Sequence, residues 1–167
     1  ARVPPSGIEA MLVYDDSLTL GLLGAAGVRL SRPREALLED LGTYLVSHPN
    51  AESLRRLLRF GGVGFVDFLH SLDQLPGRAR LAVPELELPV LELEELGASR
   101  FVLTCRFRVA GFGHVLAGVL RAMADDYGAL VLLDHAAGGE GGEVIGIHLL
   151  DTRFAEGRHF RLSAALR

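Results

Sequence analysis

A chain of 167 residues is one domain long and has room for a full hydrophobic core. A net charge of -4 argues against the basic patch of a nucleic-acid binder, and no apolar run reaches the roughly 18 residues of a membrane span. All 17 basic residues are arginine, which excludes Schiff-base and phosphate-loop lysine chemistry and fits a GC-rich bacterial genome. The one cysteine, Cys105, excludes an internal disulfide and suits a reducing cytoplasm. The start, Ala1 to Ser6, carries neither an apolar secretion segment nor an initiating Met, as in a processed, truncated or partly disordered start.

In chain order, Ile8, Met11, Leu12 and Tyr14 suggest a short first helix. Asp15-Asp16-Ser17 can cap a helix over 18–26 that Gly27 ends. Ser31 and Pro33 open a helix over 34–47 with Leu37, Leu38, Leu41, Tyr44 and Leu45 inward. Pro49-Asn50 breaks it, and 52–59 gives another helix with Leu54, Leu57 and Leu58 inward. The stretch 60–76 reads as one amphipathic helix, opened by Gly61, Gly62 and Gly64 and closed by Pro76. Phe65, Phe68, Leu69 and Leu72 form its buried stripe. Eleven residues beyond Phe65 the rotation has returned to within about 20°, so Pro76 points from that same face.

The period then changes. Leu86, Leu88 and Val90 alternate, and Leu91 and Leu93 alternate in the opposite phase, which implies a slip at Pro89 with a strand after it. Gly97-Ala98-Ser99 is a turn, and 100–109 is a strand with Val102, Cys105 and Phe107 among its members. The strongest helix covers 111–127, with Phe112, Val115, Leu116, Val119, Leu120 and Met123 in helical register and Gly128 as its stop. Strands over 129–133 and 143–150 flank a glycine-rich hairpin loop at 138–142, and 158–166 reads as a last strand. The fold class is α+β: a single domain with a helical part, 1–76, and an antiparallel sheet carrying one long helix, 77–167.

Little here points to catalysis. The glycine loop at 138–142 lacks the Lys-Ser/Thr of a phosphate cradle, and Gly61-Gly62-Val63-Gly64 follows a helix rather than a strand. His48, His70, His114, His135, His148 and His159 show no HxH, HxxxH or HExxH spacing, which argues against zinc, although His135 and His148 sit in neighbouring predicted strands. Cys105 reads as a buried structural thiol, Asp125-Asp126 as a solvated helix end, and no serine lies in a GxSxG elbow. The chain reads as a non-enzyme.

Several stretches resemble the haem-nitric-oxide/oxygen binding (H-NOX) family of sensor domains. They are Leu38-Glu-Asp-Leu-Gly-Thr-Tyr44, Phe65-Val-Asp-Phe-Leu-His-Ser-Leu-Asp-Gln-Leu75, Leu88-Pro-Val-Leu91, Gly111-Phe-Gly-His-Val-Leu-Ala-Gly-Val-Leu120 and Tyr127-Gly128. The resemblance covers the chain from near Leu12 to its end, and the family's first helices are missing from the start. It implies a helical N-terminal part, a sheet with one helix, haem as cofactor, and signalling partners such as a histidine kinase or a nucleotide cyclase. The family's proximal histidine falls at Pro76, and its Tyr-x-Ser-x-Arg motif for the haem propionates falls at Cys105, Phe107 and Val109; Pro89 matches a proline that presses on the haem. Proline, phenylalanine and valine can neither ligate iron nor pair with a carboxylate.

The resemblance therefore implies a cytoplasmic sensor or regulatory domain with a degenerate haem site. Phe65, Phe68, Leu72, Phe107 and Phe112 are pocket candidates, with plain core packing as the alternative for all five. Three other functions stay open: a working haem sensor with a substitute ligand such as His114 or a Cys105 thiolate, a carrier of some hydrophobic small molecule, and a pure binding partner for a kinase or nucleotide cyclase. His70 lies about 120° around the helix from position 76 and should face away.

Overall fold

The computed structural model describes residues 12, 14–82, 84, 87–139 and 142–158. They belong to two compact units, 1–37 and 38–167. The expected helix before Asp15 and the strand over 158–166 fall almost wholly outside the described residues.

In the first unit, α1 (Asp16–Leu30) starts two residues before the expected 18, capped from within the expected cap: the Asp15 carboxylate accepts the Ser17 N–H at 2.9 Å. It does not stop at Gly27. A mid-helix glycine costs only about 1 kcal/mol, too little to end a helix. The stop comes at Ser31, whose left-handed backbone (φ 52°) turns its N–H onto the last carbonyls, two residues before Pro33. No residue of α1 is buried.

α2 (Arg34–Ser47) has the expected bounds and keeps part of the expected inner face, with Leu38 buried and Leu37 and Leu45 half-buried. Leu38, Gly42 and Val46 are buried, whereas Leu41 and Tyr44 are 44% and 43% exposed. The cause is a backbone-to-backbone crossing with α6 (Phe112–Tyr127). A Cβ at Gly42 would come within 2.9 Å of Val115 C and Val119 N, and one at Gly118 within 2.9 Å of Glu39 C and 3.0 Å of Thr43 N. The two glycines, not the leucines, set the contact line. A 3-10 turn (Pro49–Ala51) leads into α3 (Glu52–Arg59), which buries Leu58.

The stretch expected as one helix is two. α4 (Phe65–His70) opens at Gly64, where the Asp67 carboxylate accepts the N–H groups of Val63 (3.1 Å) and Gly64 (3.0 Å). It ends at Ser71, whose hydroxyl donates to the Phe68 carbonyl at 2.8 Å. Leu72–Gln74 tightens to 3-10, and α5 (Leu75–Ala82) begins a new helix with Pro76 in its first turn. A proline inside a continuous helix has no N–H to give and its ring strikes the carbonyl four residues back, here that of Leu72; in a first turn neither matters. Pro76 starts a helix rather than ending one.

The sheet is antiparallel, in the order β1-β2-β4-β3. β1 (Val90–Gly97) follows Pro89 and has a register shift between Glu95 and Gly97; the phase change expected at Pro89 rests on Leu86, which lies outside the described residues. β2 (Arg100–Arg106) turns Phe101, Leu103 and Cys105 inward, so Val102 is on the other face and Phe107 lies past the strand's end. β3 (Leu130–Ala137) runs further than expected, and β4 (Glu143–Asp151) closes the sheet. α6 starts at Gly111 (φ 93°) and stops at Gly128 (φ 75°), with Leu116, Leu120 and Met123 joining Phe101, Leu103, Ile145 and Ile147 in one core.

Candidate functional site

The helices and the sheet enclose a cavity of about 200 Å³ whose lining is apolar throughout. Leu45 of α2, Leu54, Leu57 and Leu58 of α3, and Val115, Leu116 and Val119 of α6 supply most of one side. Leu72, Leu75, Pro76 and Ala79 come from the broken helix, and Leu88, Pro89 and Leu91 from the entry to β1. The rotational argument for Pro76 assumed an unbroken helix, yet the ring still reaches the cavity because α5 resumes directly beyond the 3-10 turn.

Of the nine positions singled out in the sequence, Leu72, Pro76, Pro89 and Phe112 line this cavity. Phe107 lies edge-on to Phe112, with ring centroids 5.0 Å apart. Val109 is half-buried in the turn before α6. Phe65 and Phe68 turn elsewhere, packing on Tyr127 with centroids 6.4 and 6.1 Å away. Cys105 is buried under β2 and lies outside the lining. Burial, reinforced by the Glu143 charge, pushes its thiol up to about 12, so at neutral pH it is not a thiolate. Sequence reasoning missed Leu75 and Ala79 because Pro76 was read as a terminator; the signal was a proline at a helix's first turn followed by helix-forming residues.

The histidines also fall differently. His70 is half exposed, 3.7 Å from Glu95, and away from the cavity as expected. His135 and His148 do not meet: they sit opposite Ile145 and Leu132 on adjacent strands. His114 does not line the cavity. Its ring packs on that of His135 (centroids 4.0 Å apart), and its Nδ1 lies 3.7 Å from the Glu39 carboxylate. Glu39 accepts a 2.8 Å hydrogen bond from Arg121, which together with His114 outweighs burial and holds its carboxyl below the ordinary value. Asp126, expected in a solvated pair, is 1% exposed. Arg55 pairs with it, donating one hydrogen bond at 3.2 Å from Nε, and Arg59 lies 3.6 Å away and 3.9 Å above the Tyr127 ring. Two guanidiniums thus clamp the buried carboxylate between α3 and α6.

Chemically, the cavity can take up a small apolar guest. Its lining offers no donor to a metal and no cation or hydroxyl to a carboxylate. No described helix is long and apolar enough to cross a membrane.

A family profile described as haem-NO-binding matches residues 2–135. The rat guanylate cyclase soluble subunit beta-2 is 27% identical over 93 residues, a stretch that spans 56% of this chain and 14% of that subunit. Among solved structures, an H-NOX protein from S. oneidensis superposes with a TM-score of 0.78 at 15% identity, covering 90% of this chain and 82% of its own. One from K. algicida reaches 0.77 at 17% identity, again covering 90% and 82%. One from T. Tengcongensis reaches 0.72 at 11% identity, covering 89% and 81%. These likenesses establish the α+β fold, and the profile establishes the kinship. The chain belongs to the haem-NO-binding (H-NOX) family, whose domains are gas sensors rather than catalysts.

Proposed function

We propose that this chain is a regulatory sensor domain whose haem site is degenerate, and that its apolar cavity takes a small hydrophobic guest instead. The supporting observation is the lining. An iron porphyrin needs an axial donor and partners for its carboxylates, and the residues around the cavity offer neither; the family resemblance assigns the donor's position to Pro76, which is in the lining. Size argues the same way: about 200 Å³ falls below the roughly 300–1,000 Å³ typical of cofactor pockets. It is close to the ~150 Å³ of an engineered apolar cavity that stays dry and binds benzene or xenon. The guest class is therefore a compact apolar molecule of about one or two fused rings.

The readout is a change in how the domain meets a signalling partner in the cytoplasm, such as a histidine kinase or a nucleotide cyclase. Guest binding acts on α5 and α6 together, since both contribute walls. A thermal-shift titration with benzene and indole tests the cavity. The expected result is a saturable rise in melting temperature that Ala79→Phe removes while the far-ultraviolet circular dichroism stays unchanged. A wild-type melting temperature that neither compound moves would refute the guest.

A further inference from the structure

Outside the cavity, three elements bring together side chains that no sequence spacing links. His114 comes from the first turn of α6, His135 from β3 and Glu143 from β4, and one ligating atom from each lies within 4.8 Å of the others. We propose that His114, His135 and Glu143 form a binding site for one divalent transition cation of the zinc type.

The donor set fits that class: two imidazoles and a carboxylate, three protein ligands with a fourth position left for water. The carboxylate is prepared for the role. Its Oε1 accepts the Gly111 N–H at 2.8 Å, while Oε2 lies 2.8 Å from His135 Nε2.

Residue 113 keeps the space between the ligands open. A Cβ there would sit 2.6 Å from His135 Nε2 and 2.7 Å from Glu143 Oε2, where the two donors converge. His114 Nδ1 is buried without a hydrogen-bond partner, and the Glu39 carboxylate stands 3.7 Å from it. A carboxylate beside the non-ligating nitrogen is the usual way a metal-bound imidazole is oriented, which leaves Nε2 of His114 for the cation.

A purely structural account covers part of this. Glu143 caps the start of α6 and His135 hydrogen-bonds to it, with no cation needed. That account gives no role to the His114 ring packed against His135. Ligand atoms around tetrahedral zinc are spaced about 3.3 Å apart, from bonds of about 2.0–2.1 Å. The three ligating atoms, all within 4.8 Å of one another, must draw together by up to about 1.5 Å to close on such an ion. With side chains 16–21% exposed, the site stays in reach of solvent for exchange.

The test uses the untagged full chain, stripped with chelator and titrated with Zn²⁺ by calorimetry and with Co²⁺ by visible absorption. We expect one equivalent bound and cobalt d–d bands of four-coordinate intensity. His135→Ala and Glu143→Gln each lower the affinity at least tenfold, and His114→Asn does the same without removing the carboxylate that caps α6. Paramagnetic broadening of the His114 and His135 ring signals by Co²⁺ locates the ion in the wild type, independently of whether a variant folds. Absence of stoichiometric binding, or binding that His135→Ala and His114→Asn leave intact with both rings unbroadened, overturns the proposal.

Discussion

Replacing Gly118 with alanine puts a methyl group into the α2–α6 crossing. The new carbon lies 2.9 Å from the Glu39 carbonyl carbon, closer still to its oxygen, and 3.0 Å from the Thr43 nitrogen, where 3.4 Å is the floor of ordinary contact. All of these are backbone atoms, so no rotamer change relieves the clash and the two helices must part. Alanine gains about 1 kcal/mol in helix propensity over glycine. Overpacking of a tight core costs about 1–3 kcal/mol, and intrusion on backbone belongs at or beyond the upper end. A net loss of about 2 kcal/mol follows, or about 4–8 °C in melting temperature for a chain of this length.

Gly24→Ala in α1 is the matched control. Nothing lies within 4 Å of its added carbon, so propensity acts alone and the variant gains up to about 1 kcal/mol. Urea and thermal melts of both, followed by circular dichroism, read the difference. The double variant Gly42→Ala/Gly118→Ala should lose less than the two single losses combined, because both part the same helices. The crossing also sets Val115, Leu116 and Val119 in the cavity wall, so benzene binding should weaken in step. A Gly118→Ala variant as stable as the wild type would refute the reasoning.

Two further outcomes can be measured with the same protein. Asp126→Asn removes the buried countercharge shared by Arg55 and Arg59, and urea unfolding should show a loss of about 3–5 kcal/mol, far above the cost of a surface ion pair. Cys105 should resist a thiol-specific reagent at pH 8 and react only as fast as the domain opens. Its folded pKa, raised to about 12, exceeds the ordinary 9.0, so the unfolded thiol ionises first on the alkaline side. Stability from this group is therefore whole below pH 9 and falls between pH 9 and about 12, and Cys105→Ala should flatten that limb.

Much of the fold was legible because its signals are local. The bounds of α2, α3 and α6 follow from Pro33, Pro49 and the Gly111/Gly128 pair, each of which acts on its own few residues of backbone. The Leu91/Leu93 alternation likewise gave the facing of β1. What was not legible depends on distant partners. Nothing near Leu41 says that Gly42 meets the backbone of α6 at Val115 and Val119, so Leu41 and Tyr44 read as inward although they are exposed. Asp126 reads as solvated until Arg55 and Arg59 arrive from α3. The His114–His135–Glu143 group is invisible to spacing rules because its members come from a helix and two strands. At the cavity, Leu72, Pro76, Pro89 and Phe112 could be picked from the family's pattern, whereas Leu75 and Ala79 needed the break in the helix to be seen.

The most direct measurement is the visible spectrum of the chain purified from a haem-replete host, with bound porphyrin per chain quantified after extraction. With Pro76 at the cavity wall and no donor around it, the account predicts a colourless protein with far less than one haem per chain and no Soret band on adding hemin beyond that of free or loosely adsorbed hemin. A stoichiometric Soret band, with iron held by a side chain of this protein, would contradict it.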